Sequence, residues 1–141
     1  MKIRNATWED KEFVKKLDEE NMKEIIESYN KKYSQVMYDS FNPNKCFIIE
    51  EDKPIGFAYF KTTKNKINIW SIQIVKNSQG KGYGRKLIEY ITDFAKDKKL
   101  KKIILEVHIN NKRAINFYEK FGFKNLGEVQ KNKLGFEFEI R

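Results

Sequence analysis

The sequence predicts an α+β (mixed α/β) fold: a central mixed, mostly antiparallel sheet of about seven strands with helices on both faces. Three observations lead there. Short stretches rich in apolar and β-branched residues recur along the chain, several joined by turn-like segments suited to hairpins. Between some of them the apolar spacing changes to three and four, the period of a helix. One such helical stripe separates residues 67–75 from residues 103–107, the arrangement of a strand, crossover helix and parallel strand.

Residues 2–6 read as the first strand. Thr7 and Asp10 then form a capping-box-like start, and from Trp8 to Tyr29 the positions Phe13, Val14, Leu17, Met22, Ile25, Ile26 and Tyr29 make one helical stripe that Asn30 ends. Residues 31–41 are a second, weaker helical piece, stopped by Asn42 and Pro43 because the residue before a proline avoids the helical region. Residues 46–50 and 55–62 are β-rich and joined by Glu51, Asp52, Lys53 and Pro54, turn composition for an antiparallel hairpin that residues 67–75 continue. Tyr83, Leu87, Ile88, Ile91, Phe94 and Ala95 form the crossover helix, and residues 103–107 a short buried strand. Ala114, Ile115, Phe117 and Tyr118 lie on a further helix, with Gly122 suited to a left-handed cap, and strands over residues 123–130 and 134–140 follow.

The 141 residues fit one domain, 1–141, with no Ser/Gly-rich linker and no internal repeat. Lys and Arg outnumber Asp and Glu by 29 to 20, a net charge of +9 that attracts anions, phosphates first among them. Lysine-rich solvated faces explain the same surplus, and the aromatics are not interleaved with basic residues as base stacking requires, so nucleic acid is not the expected partner. A single cysteine, Cys46, leaves no internal disulfide and no zinc site built on cysteine pairs, which fits a reducing cytoplasm; no metal is expected. Residues 1–10 lack a continuous apolar run and nothing approaches the ~18 apolar residues of a membrane span, so neither export nor a membrane partner is expected. The oligomeric state is open, a homodimer included.

Gln79, Gly80, Lys81, Gly82, Tyr83 and Gly84 lie between a strand and a helix. Glycines let backbone approach a ligand closely, and the helix start offers unpaired N–H groups and a positive dipole end, with Lys81, Arg85 and Lys86 adding full charges. A pyrophosphate suits this loop, although short glycine loops also serve as plain turns. Two other phosphate loops are excluded: Gly80-Lys81 is followed by Gly82 rather than Ser or Thr, and the third glycine of a dinucleotide fingerprint is replaced by Arg85.

Here the sequence resembles the GNAT superfamily of acyl-CoA-dependent N-acetyltransferases, whose loop reads Gln or Arg, two residues, Gly, one residue, Gly or Ala, as Gln79 to Gly84 does. The superfamily's second signature, an Asn, an Ala three residues on, a Tyr, then Gly-Phe, is met by Asn111, Ala114, Tyr118, Gly122 and Phe123. The resemblance is specific from about Ile67 to Phe123 and loosely architectural before that. It implies acetyl-CoA as cosubstrate, held between splayed central strands, and an amine acceptor left unidentified. Carried over by position, the backbone of Ile72, Gln73 and Ile74 would meet the pantetheine arm and acetyl carbonyl, and the amides of residues 79–85 the pyrophosphate. Asn111 would bond the cofactor arm, and Tyr118 would protonate the leaving thiolate.

An alkylamine with a pKa near 10.4 is almost wholly protonated at pH 7, so a base or water path must take its protons, while a backbone N–H such as that of Ile74 steadies the oxyanion. Histone-acetylating members of that superfamily place a glutamate where this chain has Asn68. Bacterial members that acetylate protein N-termini resemble it better, through Leu105-Glu106-Val107 before Asn111. Alternation puts Glu106 on the side of Ile104 and His108; it is either the base or a strand-end glutamate paired with a lysine, and His108 is the runner-up base. Trp70, in phase with Ile72 and Ile74, either walls the acceptor tunnel or is an aromatic core residue and is read as structural by default, and Cys46 is read as a buried strand residue rather than a nucleophile. An N-acetyltransferase is thus expected, the alternatives being a basic nucleic-acid-binding domain or a non-catalytic acyl-CoA binder of the same family.

Overall fold

The computed structural model describes residues 1–25 and 40–141. Strands β1 (Lys2–Asn5), β2 (Cys46–Glu50), β3 (Pro54–Thr62), β4 (Lys66–Ile74), β5 (Lys102–His108), β6 (Lys124–Gln130) and β7 (Lys133–Glu139) form one sheet in the order β1-β2-β3-β4-β5-β7-β6. The described α-helices are α1 (Lys11–Lys23), α2 (Tyr83–Asp97) and α3 (Lys112–Phe121). Among the described strands only β4 and β5 pair in parallel, because α2 carries the chain back across the sheet between them. The other neighbours are antiparallel, so the mixed, seven-stranded sheet is as the sequence predicts.

Most differences lie at element ends. The first helix starts later than its apolar stripe: Trp8–Asp10 is a single 3-10 turn, and α1 then runs from Lys11 to Lys23. Ile26, Tyr29, the stop at Asn30 and all but the end of the helical piece at residues 31–41 lie outside the described residues.

Helices lie on both faces. On one, Ile67, Ile69, Ile103, Leu105, Val107 and Phe136 pack with Leu87, Ile88, Ile91 and Ala95 of α2 and Tyr118 of α3. The 87, 91, 95 spacing keeps one stripe of α2 on the sheet. On the other, Cys46, Ile48, Phe57 and Tyr59 pack with Val14 and Leu17 of α1. Cys46 is the buried strand residue expected, its thiol pushed well above the usual range by desolvation.

A buried carboxylate pins β1 to the start of α1. Asp10 accepts a 2.7 Å bond from the Thr7 N–H, the reach-back bond of a capping box, and Arg4 donates to both its oxygens at 2.8 and 3.0 Å. Arg4 also donates to Glu50 on β2, so one guanidinium ties three elements together. Burial alone would raise the Asp10 carboxyl, but the Arg4 and Thr7 hydrogen bonds and the Arg4 charge hold it below its usual value. The group therefore stabilises the fold at neutral pH, and that contribution is lost as pH falls below about 4 towards the depressed native value. Asp10→Asn should cost about 1–3 kcal/mol in urea unfolding at pH 7 and should weaken the pH dependence of stability on the acid side.

Candidate functional site

β4 and β5 stay paired only from Lys66↔Lys102 to Ile69↔Leu105, yet β4 continues to Ile74 and β5 to His108. Their carboxyl ends therefore part. The break coincides with Trp70, an extra residue in β4 between the pairs Phe60↔Ile69 and Tyr59↔Ser71, and such a bulge bends its strand. It also reverses the phase: Ile67 and Ile69 face α2 before it, Ile72 and Ile74 after it. Trp70 is accordingly neither in phase with Ile72 and Ile74 nor a core residue, a correction to the sequence reading. Half exposed, it lies on the opposite face with its ring 5.9 Å from that of Tyr59.

Along a strand, N–H and C=O of one residue point to the same side and alternate at the next. Val75 donates to the Ile55 carbonyl at 2.8 Å, so Val75 and Gln73 turn their backbone to β3, while Ile72 and Ile74 turn theirs to the gap. Gln73, expected beside them, thus offers the gap no main-chain group, and its side chain is held by Asn21 and Ser71. The Ile74 carbonyl accepts from Asn21 Nδ2 and Gln79 Nε2, each at 3.0 Å.

At the end of that gap is the glycine loop. Gly80 and Gly82 have φ of +79° and +89°, the left-handed region that glycine enters freely. The first helical bond runs from Lys86 N to Gly82 O, which leaves the N–H groups of residues 83–85 without helical acceptors at the positive end of α2. Gln79 also accepts from Arg113 on the first turn of α3, and Phe117 of α3 lies 3.6 Å from where a Cβ on Gly84 would stand. The starts of both helices are thereby brought together, with Arg113 between them and Lys81 and Lys86 exposed nearby. Two loop side chains are engaged elsewhere: Tyr83 donates to Glu51 at 3.0 Å, and Arg85 lies 5.0 Å over the Phe121 ring and 4.0 Å from Glu89.

Tyr118 is buried beneath the sheet among Phe117, Phe123 and Phe136. Desolvation raises its phenol well above the usual range, and among the described residues its hydroxyl has no hydrogen-bond partner. Glu106 is exposed on the other face, beside Ile104 and His108 as alternation requires, and accepts from Gln130 of β6. The His108 Nδ1 accepts the Asn110 N–H at 3.1 Å and belongs to the turn after β5. Asn111 caps α3, accepting from Ala114 N at 3.2 Å, while its amide NH2 meets no acceptor among the described residues. The Tyr118 phenol and the Glu106 side chain thus lie on opposite faces of the sheet. Concavities of about 530 and 360 Å3 lie elsewhere, the first against Thr92, Gly122 and Phe138 and the second against Phe60, Phe94 and Lys98. Among the described residues no His, Cys, Asp and Glu side chains gather as a metal site.

Sequence reasoning missed Asn21 and Arg113. Nothing in the spacing of α1 marks Asn21 as a partner of a strand 52 residues on, and Arg113 lies inside the second motif at a position the motif leaves unspecified.

The family model described as "Acetyltransferase (GNAT) family" matches residues 4–123. The chain is 26% identical over 117 residues to an N-alpha-acetyltransferase 30 of Schizosaccharomyces pombe, covering 79% of this chain and 78% of that protein. It is 42% identical over 88 residues to a probable spermine N(1)-acetyltransferase of Bacillus subtilis subsp. natto, covering 55% of this chain and 57% of that one. In fold it is similar to the PaiA N-acetyltransferase of Thermoplasma acidophilum in complex with coenzyme A, with a TM-score of 0.82, 20% identity and 98% of each chain covered.

Gly56 tests the close approach that shapes the cleft. It lies opposite Ile74, and a Cβ there would stand 2.6 Å from Ile74 Cδ1 and 2.7 Å from the Gln73 carbonyl oxygen. Gly56→Ala must push the bent part of β4 aside, at a cost of about 1–3 kcal/mol measured by urea unfolding.

Proposed function

The chain belongs to the acetyltransferase (GNAT) family, and from that premise we propose how its residues carry the acetyl group of acetyl-CoA to a primary amine. The observation that carries the reading is a coincidence of place. The gap between β4 and β5, lined by the main-chain groups of Ile72 and Ile74, opens towards a loop whose glycines and helix start present unused N–H groups.

The amides of residues 80–85, with Lys81 and Lys86, take the diphosphate, as helix N-termini take anions. The pantetheine arm lies along β4 like an added strand, bonded by Ile72 and the Ile74 N–H, with the Asn111 amide as a further donor. Glu106 takes the proton of the incoming ammonium, directly or through water. The nitrogen then attacks the thioester carbon, a C–N bond forms, and an N–H of the bent strand steadies the oxyanion of the tetrahedral intermediate. As the C–S bond breaks, Tyr118, kept protonated by its burial, donates to the thiolate, and the nitrogen gives up its remaining extra proton through water to restore the phenol, leaving the neutral amide and free coenzyme thiol. Transfer is direct, so Cys46 has no part.

On this reading residues 1–141 act as one transferase domain, and all of the groups named come from one chain, so the chemistry does not require a homodimer. A buried lone thiol suits the reducing cytoplasm. The acceptor is a primary amine. The two relatives differ in what their names say they acetylate, one an α-amine and the other a polyamine.

Calorimetry should detect coenzyme A binding, and Gly82→Ala, whose φ of +89° disfavours any side chain, should weaken it about five- to tenfold. Tyr118→Phe should lower kcat about a hundredfold with coenzyme affinity unchanged. Glu106→Gln should lower kcat about a hundredfold at pH 7 with coenzyme affinity unchanged, and full activity would remove Glu106 from the mechanism. With a peptide α-amine the rate should level off above about pH 8, whereas an alkylamine should keep gaining to about pH 10.

A further inference from the structure

Two of the groups around the cleft belong to α1, a helix on the face away from the glycine loop's own helix. Asp18 and Asn21 stand one turn apart, and both reach the bent part of β4. Asp18 is buried, with 3% of its surface exposed, and its Oδ1 accepts the Ser71 hydroxyl at 2.8 Å. Ser71 Oγ accepts Gln73 Nε2 at 3.2 Å, and Gln73 Oε1 accepts Asn21 Nδ2 at 3.0 Å. The same Asn21 nitrogen donates to the Ile74 carbonyl, where Gln79 Nε2 meets it, and Gln79 Oε1 accepts from Arg113.

The direction of every donor in this chain is fixed. A backbone carbonyl can only accept, so Asn21 must present its NH2 to Ile74. The same nitrogen then meets Gln73 through the glutamine's oxygen, which turns the glutamine nitrogen towards Ser71. Ser71 is left with its proton for the Asp18 carboxylate. At the other end, Gln79 too must present nitrogen to Ile74 and therefore oxygen to Arg113. Reversing one amide sets like against like at the next link.

We propose that Asn21 is a positioning residue for the cofactor strand: with Gln79 it clamps the Ile74 carbonyl, so that α1 sets the orientation of the main-chain groups that receive the coenzyme arm. The clamp has two effects. It consumes the one gap-facing carbonyl nearest the loop, and it fixes the Ile74 peptide, hence the pitch at which Ile72 and the Ile74 N–H point into the cleft. It also joins α1 to Arg113 at the start of α3, so a displacement of α1 reaches the loop through Asn21, the Ile74 carbonyl and Gln79. This rests on the coenzyme site proposed above.

The discriminating substitution is Asn21→Asp, which keeps size and helix position but replaces the donor with a second acceptor facing Ile74. Coenzyme A binding is measured by calorimetry, KM and kcat by thiol release, and stability by thermal unfolding. Coenzyme A Kd and acetyl-CoA KM should rise about tenfold, the worth of one well-placed hydrogen bond to an upper estimate. The acceptor's KM and kcat should change less than threefold. Gln79→Leu, which removes the second donor without placing a charge beside the phosphate loop, should also raise the coenzyme A Kd, and the double variant should be less than additive because both donors serve one carbonyl. Should Asn21→Asp fail to fold, Asn21→Ser, too short to reach the Ile74 carbonyl, carries the test with the same readouts. A variant that melts earlier yet binds coenzyme A within twofold of the wild type overturns the proposal and leaves the coenzyme site standing. A wild-type chain that binds no coenzyme A overturns both.

Discussion

The structure depends on one irregularity in β4. Between Ile69 and Ser71 the chain carries a residue that β3 does not match, and from that point β4 no longer follows β5. A regular parallel pair would satisfy its main chain internally and leave nothing for a ligand. Here the last residues of β4 keep their bonds to β3 and turn the others to an open gap. The bulge costs a few ladder bonds and creates a row of oriented donors and acceptors with apolar side chains below them, a strand-shaped receptor held on one edge only.

Everything near the gap serves to keep it in shape. Gly56 permits the bent strand to lie close against β3, and the core of Ile67, Leu87, Ile91 and Ile103 holds the paired lower halves of β4 and β5 rigid beneath α2. α3 delivers Tyr118 from the same side, seated among Phe123 and Phe136, where burial keeps the phenol from ionising. From the other side β5 delivers Glu106 by alternation alone.

Much of this was legible in the residues because the relevant signals are local. The change of apolar period before Tyr83 gives α2 and therefore the parallel pair, and the closely spaced glycines mark a loop whose backbone a ligand can approach. Alternation in Lys102–His108 gives the side on which Glu106 lies. The bulge was not legible: Trp70 has neither the glycine nor the proline that marks such sites, and strict alternation carried through it assigns the wrong face to the indole. The end of α1 was equally hidden, since an apolar stripe says which face is buried but not where the helix stops. Long-range polar partnerships such as Asn21 with Gln73 or Arg113 with Gln79 leave no periodic trace, because they are set by how elements pack after each has formed.

The placement of Glu106 and Tyr118 on opposite sides of the sheet has a kinetic corollary. On the proposed reading, nucleophile and thioester approach through separate doors, so each can enter or leave while the other stays, and both must be resident together before any bond changes. Velocity patterns for such an arrangement intersect rather than run parallel, and spent coenzyme can depart without waiting for the acylated partner to clear its path.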